Sequence, residues 1–296
     1  MRVYGLDFTG APGSGHSGAI RRKRLTLAAC TLDGDTLIVD ELRSLNGARS
    51  GDFSGFEGWL GTGGGWIAGL DFPFGQPAEL IRELGWPETW AGYVGHVGAL
   101  GKAGFEKILV DYKATKPPGR KEPRRATDVA ARSVSPMKLA GVPIGKMFFQ
   151  GATRLLDSPL SIDPVRPVTG EGRAVVEAYP ALVARKWIGK RGYKNDDPSK
   201  QSEGMRLARI DLVDAVRDRR RAGGAPSIRE HYGFVVSMSD EVARESIEDP
   251  TGDGFDSILC AIQAAWAHRR SRRGREEWAP IDRLERVIAD PKIMGP

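Results

Sequence analysis

The chain has 296 residues, of which 40% are hydrophobic and 28% are charged, a composition typical of a globular protein with a sizeable core. No run of about eighteen apolar residues is present, which excludes a membrane-spanning helix, and two cysteines in apolar runs, Cys30 and Cys260, exclude a disulfide framework. The N-terminus lacks the pattern of a signal peptide, so we expect a cytoplasmic protein without a membrane partner.

Positive charge is concentrated in two stretches of the chain. The formal net charge is +6, and residues 102 to 138 contain ten Lys and Arg against four acids. A second cluster of arginines runs from Arg269 to Arg275. This distribution favours a polyanionic partner, although each run is also typical of a solvated face.

The first quarter of the chain reads as three strands, a helix and a fourth strand. The strands are predicted over 3–6, 24–32 and 36–42, and Asp33-Gly34 predicts a tight turn between the last two. Apolar residues at helical spacing predict a helix over 52–60. Residues 66–70 are apolar on both faces, as expected of a central strand.

The stretch from 76 to 172 has a less regular pattern, and we expect it to be an insertion or subdomain. Helices are predicted over 78–84 and around 146–156, and residues 128–132 can begin another. The segment Lys113–Arg125 combines three prolines with many basic residues, which predicts an exposed basic loop. We expect this loop to hold substrate phosphates through Lys113, Lys116, Arg120, Lys121, Arg124 and Arg125.

The remainder of the chain predicts one more strand and two long helices. Residues 173–177 read as a strand that Pro180 stops, followed by a helical turn over 181–187. An amphipathic helix is predicted over 202–221. Phe255, Leu259 and Ile262 lie at helical spacing in a last helix that reaches Ala267. Residues 269–296 are expected to form a basic tail of a single domain.

Four acidic positions stand at comparable places in these elements. Asp7, Asp71 and Glu177 each end an apolar strand, and Asp256 lies in the first turn of the last helix with Asp253 three residues earlier. If the strands are neighbours in one sheet, these carboxylates converge and repel one another. Oxygen ligands in this arrangement predict a Mg²⁺ or Mn²⁺ site able to support phosphodiester cleavage.

Each acid also has an ordinary structural interpretation, which stays open at this point. Asp7 could cap its strand, Asp71 could bond the Phe72–Gly75 turn, and Glu177 could pair with Arg173. Asp253 is well placed to cap the last helix. We nevertheless expect Asp7, Asp71, Glu177 and Asp256 to be catalytic, and Asp7, Asp71, Asp253 and Asp256 to bind metal.

Four motifs together resemble the DUF429 family, which is described as predicted nucleases with a ribonuclease H-like fold. The motifs are YGLDFTG (4–10), IAGLDFPFG (67–75), VVEAYP (175–180) and GDGFDSILCAIQAA (252–265). The resemblance implies an α/β fold with a mixed five-stranded sheet flanked by helices and a large basic insertion between strands 4 and 5. It also implies that Asp7, Asp71 and Asp256 form an acidic cluster, and that Arg125 to Asp128 face the same cleft, with Asp128 near substrate.

These observations lead us to expect a metal-dependent nuclease acting on nucleic acid. Two alternatives remain, since a superfold does not fix function. The first is a nucleic-acid-binding protein with a non-catalytic site. The second is an actin-like ATPase or small-molecule kinase, in which the glycine-rich turn from Asp7 to Gly18 would wrap phosphates.

Overall fold

A computed structural model describes residues 1–9, 25–45, 51–163, 166–219, 226–271 and 284–295. The glycine-rich turn that begins at Gly10 and the arginines at 272, 273 and 275 lie outside these residues. In the described part of the chain, no helix is both long enough and apolar enough to cross a membrane.

The described residues form one mixed sheet with helices on both faces. Its strands are β1 Arg2–Asp7, β2 Thr26–Asp33, β3 Thr36–Ser44, β4 Trp66–Leu70, β5 Ser161–Ile162, β6 Arg173–Glu177 and β7 Val235–Met238. The helices are α1 Ser54–Leu60, α2 Ala78–Glu83, α3 Trp90–Thr115, α4 Ala126–Ala131, α5 Ile144–Leu156, α6 Pro180–Ile188, α7 Glu203–Val216, α8 Ile228–Tyr232, α9 Asp240–Glu248, α10 Asp253–Ser271 and α11 Pro291–Met294, with a short 3₁₀ helix at Pro198–Lys200.

The sheet has the strand order β5-β6-β4-β1-β2-β3-β7. Strands β1, β2 and β3 form the predicted antiparallel meander, while β4 pairs in parallel with β1 and β6 pairs in parallel with β4. The expected five strands are therefore present, but the sheet that the described residues form has seven strands, so the prediction of a five-stranded sheet is not confirmed. Val235–Met238 adds an edge strand parallel to β3, and the two-residue β5 adds another beside β6.

Helix α10 lies across the middle of the sheet because two glycines allow a very close approach. Gly5 of β1 and Gly69 of β4 are paired in register. A Cβ atom added at Gly5 would lie 1.9 Å from the carbonyl oxygen of Ser257, and one at Gly69 would lie 2.3 Å from that of Cys260. No side chain fits at either position, so the two glycines bring α10 against the sheet.

The stretch from 76 to 172 contains more regular structure than its sequence predicts. Helix α3 has 26 residues and a non-helical Gly101 with φ of +67°. Its many glycines lower helix propensity, which hides the helix in the sequence. A Cβ added at Gly95 or Gly98 would lie within 4 Å of a side chain of α5, and α3 packs against α5. The buried residues of both helices share one core with Leu6 and Leu70 of the sheet.

Candidate metal centre

Asp7, Asp71 and Asp256 come together at the carboxyl ends of the central strands. Each offers one carboxylate oxygen, and these oxygens all lie within 4.8 Å of one another. Asp7 and Asp256 are buried, with 8% and 1% of their surface exposed, while Asp71 is half-buried. Asp253, the first residue of α10, lines the same cavity.

The register of the strands explains this convergence. Leu6 pairs with Leu70, so Asp7 and Asp71 follow at equivalent positions of two adjacent parallel strands. Successive side chains of a strand point to opposite faces, which puts each Asp on the same face as the glycine two residues before it. That face is covered by α10, whose first turn supplies Asp256. The sequence Gly-Leu-Asp, which occurs at the end of both β1 and β4, therefore places two of the three aspartates in the site.

The predicted catalytic residue Glu177 belongs to a different cluster. It pairs in register with Leu70, one position before Asp71, and its side chain points to the opposite face of the sheet. Its carboxylate accepts two hydrogen bonds from the Arg125 guanidinium, at 2.8 and 2.6 Å, and a third from the Phe74 backbone N–H at 2.8 Å. The structural partner of Glu177 is therefore Arg125. Arg173, the partner that the sequence suggested, pairs with Glu171.

The prediction that Arg125 lies on an exposed basic loop and holds phosphate is wrong, because this residue is only 1% exposed. Its guanidinium also donates to both carboxylate oxygens of Asp128, each at 2.9 Å, and to the Glu285 carbonyl at 3.0 Å. Asp128 is buried as well. Burial raises the pKa of Glu177, although Arg125 opposes that effect, and the two carboxylates hold the pKa of Arg125 above its usual range against burial. Arg125 and Asp128 are therefore parts of a buried network.

The other predicted phosphate-binding residues do not line the cavity that holds the carboxylates. Lys113 forms an ion pair with Glu122 at 2.5 Å, and Lys116 pairs with Glu83. Arg120, Lys121 and Arg124 are exposed on the loop.

Lys194 enters the carboxylate cluster, and the sequence analysis did not identify it. Its ammonium contacts Asp256, whose other carboxylate oxygen accepts a hydrogen bond of 2.5 Å from the hydroxyl of Tyr193. Burial disfavours the charge on Lys194, but Asp256 and Asp7 outweigh it and raise its pKa. Tyr193 and Lys194 lie in the loop after α6, a segment without periodicity, so no sequence signal marked them.

The carboxylates of the cluster repel one another at Asp7. Burial raises the pKa of Asp7 well above its ordinary value, and repulsion from Asp253, Asp256 and Asp71 adds to this effect, while Lys194 opposes it. Carboxylate oxygens at this spacing suit a hard divalent cation such as Mg²⁺ or Mn²⁺. The residues present therefore fit a metal, with Asp7, Asp71 and Asp256 as ligands and Asp253 beside them.

These features form the floor of a cavity of about 690 Å³. Its lining also includes the network of Arg125, Asp128 and Glu177, and an apolar wall formed by residues of the segment before and within α5. Comparison of the chain with protein-family models, with curated proteins and with solved structures gives no match to any of them.

Proposed function

We propose that this protein is a divalent-metal-dependent phosphodiesterase that acts on nucleic acid. The observation that carries the proposal is the convergence of Asp7, Asp71 and Asp256, whose oxygens lie within 4.8 Å of one another at the base of an open cavity. Carboxylate clusters of this kind suit Mg²⁺ or Mn²⁺, which in pairs can clamp both oxygens of an in-line displacement at phosphorus.

The fold supports assignment to the ribonuclease H-like class, and with it the DUF429 resemblance, as part of the same proposal. The meander of β1, β2 and β3, then α1 and β4, follow in the order that the resemblance implies. Asp7, Asp71 and Asp256, the three acids that the resemblance implies for the cluster, lie together. The seventh and fifth strands, β7 and β5, lie at the sheet edges and leave that arrangement intact.

The chain's own residues have separable tasks in this reaction. Asp7, Asp71 and Asp256 would hold the metal, Tyr193 fixes one carboxylate oxygen of Asp256, and Lys194 neutralises the other when no metal is bound. When bound, Mg²⁺ or Mn²⁺ stabilises negative charge that develops on the phosphate and lowers the pKa of a coordinated water. The net change is hydrolysis: an oxygen of water bonds to phosphorus, the bond from phosphorus to the leaving oxygen breaks, and that oxygen takes up a proton.

Two measurements test the proposal. Crystals soaked in Mn²⁺ should show an anomalous difference peak within coordination distance of Asp7 and Asp71. Asp71→Asn should abolish Mn²⁺-dependent cleavage of labelled oligonucleotides, whereas Asp111→Asn, the same change at an exposed residue outside the cavity, should leave it unchanged. No peak at millimolar Mn²⁺ would refute the metal centre.

One observation favours a second candidate, a nucleic-acid-binding protein with a non-catalytic site. Lys194 already supplies a positive charge to Asp256, so part of the repulsion is balanced by the protein itself. Binding of oligonucleotides that is unchanged by EDTA, together with the absence of Mn²⁺ binding, would favour this candidate. The kinase alternative depends on the turn that begins at Gly10, outside the described residues, and stays a prediction.

A further inference from the structure

The cavity above the carboxylates has two chemically different sides. One side carries the acids and Lys194, and the other is an apolar wall that comes from the segment between α4 and α5 and from α5 itself. The wall consists of Val134, Val142, Pro143, Ile144 and Met147. Val134 and Val142 are 45% and 58% exposed, an unusual position for two valines at the mouth of a polar site. The wall offers a surface for a flat apolar group.

Cationic side chains are few in this cavity. Among the described residues that line it, the basic ones are Arg125, Lys138 and Lys194. Arg125 is saturated by Glu177 and Asp128, and Lys194 contacts Asp256. Lys138 is half-buried beside the wall and forms no ion pair with another described residue. Among the described lining residues, Lys138 is thus the cation that can meet a phosphate, and these residues include no row of cations of the kind that tracks the backbone of a duplex.

The size of the cavity also favours a single nucleotide over a duplex. A volume of about 690 Å³ falls in the range of roughly 300–1,000 Å³ that encloses a drug-sized ligand, which is also the scale of one nucleotide. A base inside a duplex cannot reach such a pocket without leaving the stack, which costs a few kcal/mol. An unpaired base avoids this cost, and its face can lie against apolar side chains.

We propose that the cavity takes one unpaired nucleotide of a single-stranded nucleic acid, with its base against the wall at Val142 and Ile144 and its phosphate at the carboxylate cluster. This inference rests on the proposed phosphodiesterase function and names its substrate class. Contact with the base face makes the binding tolerant of sequence, because every base has such a face.

Fluorescence anisotropy with the full chain tests the inference. The probes are a fluorescein-labelled 12-nucleotide single strand, a blunt 12-base-pair duplex and the same duplex with a three-nucleotide tail, all in Ca²⁺ at about 150 mM salt. We expect the single strand and the tailed duplex to bind at least about tenfold more tightly than the blunt duplex, since stacking contributes about 1–3 kcal/mol per base. Equal affinity for the blunt duplex would overturn the inference.

A pair of matched variants locates the contact. Val142→Glu puts a charge into the wall and should weaken single-strand binding about tenfold. Val110→Glu makes the same change at a valine that is 55% exposed on α3, outside the cavity, and should change binding less than about twofold. Both sites are exposed, so neither variant is expected to unfold the protein. Identical losses in the two variants would contradict the assignment of the wall.

The outcomes separate this inference from the proposed function. Mn²⁺-dependent cleavage of blunt duplex at the rate of the single strand would support the phosphodiesterase and overturn the single-strand inference. Binding of single strands that depends on Val142, without Mn²⁺ binding or cleavage, would support the substrate class and overturn the enzymatic function. Equal competition by a free mononucleotide and by the 12-nucleotide strand would show that the occupant is a free nucleotide, which overturns the inference.

Discussion

Replacing Lys194 by Met tests the electrostatics of the cluster most directly, because Met keeps much of the apolar stem and removes the charge. The ammonium contacts Asp256, whose side chain is 2% exposed, while the Lys194 side chain is 35% exposed. An ion pair at about 4 Å is worth about 4 kcal/mol at an effective dielectric constant near 20. Solvent screening of the partly exposed ammonium reduces this value. We expect Lys194→Met to lower the free energy of unfolding without metal by about 2 kcal/mol.

The same substitution should have the opposite effect on metal binding. Even at the dielectric constant of water, a divalent ion about 6 Å from an ammonium is repelled by about 1.4 kcal/mol, which corresponds to a factor of about ten in affinity. Removing the ammonium should therefore tighten Mn²⁺ binding at least about tenfold. Because a ligand that binds the native state stabilises it by mass action, saturating Mn²⁺ should restore the stability lost in the variant.

Calorimetric titration with Mn²⁺ measures the affinity, and urea unfolding in Mn²⁺ or in EDTA measures the free energy of unfolding. Lys190→Met is the matched control, since Lys190 is exposed a few residues earlier and does not line the cavity. It should change neither quantity appreciably. Unchanged Mn²⁺ affinity in Lys194→Met would refute the idea that the ammonium repels a metal bound by the carboxylates. Weaker affinity would instead identify Lys194 as a residue that organises the metal ligands.

Three further predictions concern the groups around this site. Gly5→Ala forces a Cβ into the backbone of α10 and should cost at least about 3 kcal/mol in urea unfolding, whereas Gly58→Ala, in the open interior of α1, should stabilise by about 0.5–1 kcal/mol. Arg125→Met leaves two buried carboxylates without their partner and should cost about 3–5 kcal/mol, against less than about 1 kcal/mol for Arg229→Met at an exposed pair. Asp7→Asn should raise metal-free stability at neutral pH and abolish Mn²⁺ binding, and a variant less stable than the wild type would contradict a repulsive cluster. Because the pKa of Asp7 is raised in the folded state, the contribution of Asp7 to the free energy of unfolding falls as the pH rises from the ordinary Asp pKa through the folded value. Asp7→Asn should flatten this pH dependence of stability, measured by unfolding at several pH values.

The sequence predicts the strands of the site well because each one carries its own local signal. Alternation and turn residues mark β1 to β3, and a doubly apolar run marks β4. It does not reveal β7, because Val235–Met238 is a short edge strand whose partner β3 lies about two hundred residues earlier. Pairing of that kind depends on the surrounding helices, which local pattern does not report.

The sequence predicts the site in part, and it also contains a feature that separates Glu177 from Asp7 and Asp71. Asp7 and Asp71 each follow a glycine by two residues, while Val175 stands two residues before Glu177. Val175 packs with Leu6 and Leu70 in the core on the face away from α10, and Glu177 shares that face. The strand ends look alike in hydrophobicity, but only the two with glycine direct their acids toward α10. Lys194 had no comparable signal because a loop residue is positioned by tertiary contacts alone.

The charges of this centre differ in how firmly the fold holds them. Asp7 and Asp256 belong to a central strand and to the buried first turn of α10, and Asp71 directly follows β4, so their positions are fixed by the close contact of helix and sheet. Lys194 instead extends a flexible side chain from a loop, with about a third of it exposed. A change of its rotamer alone would move the ammonium out of the cluster without disturbing the packing of the core. Under the proposed function, the carboxylates would therefore stay assembled without metal, and Lys194 would be the charge that a divalent ion displaces.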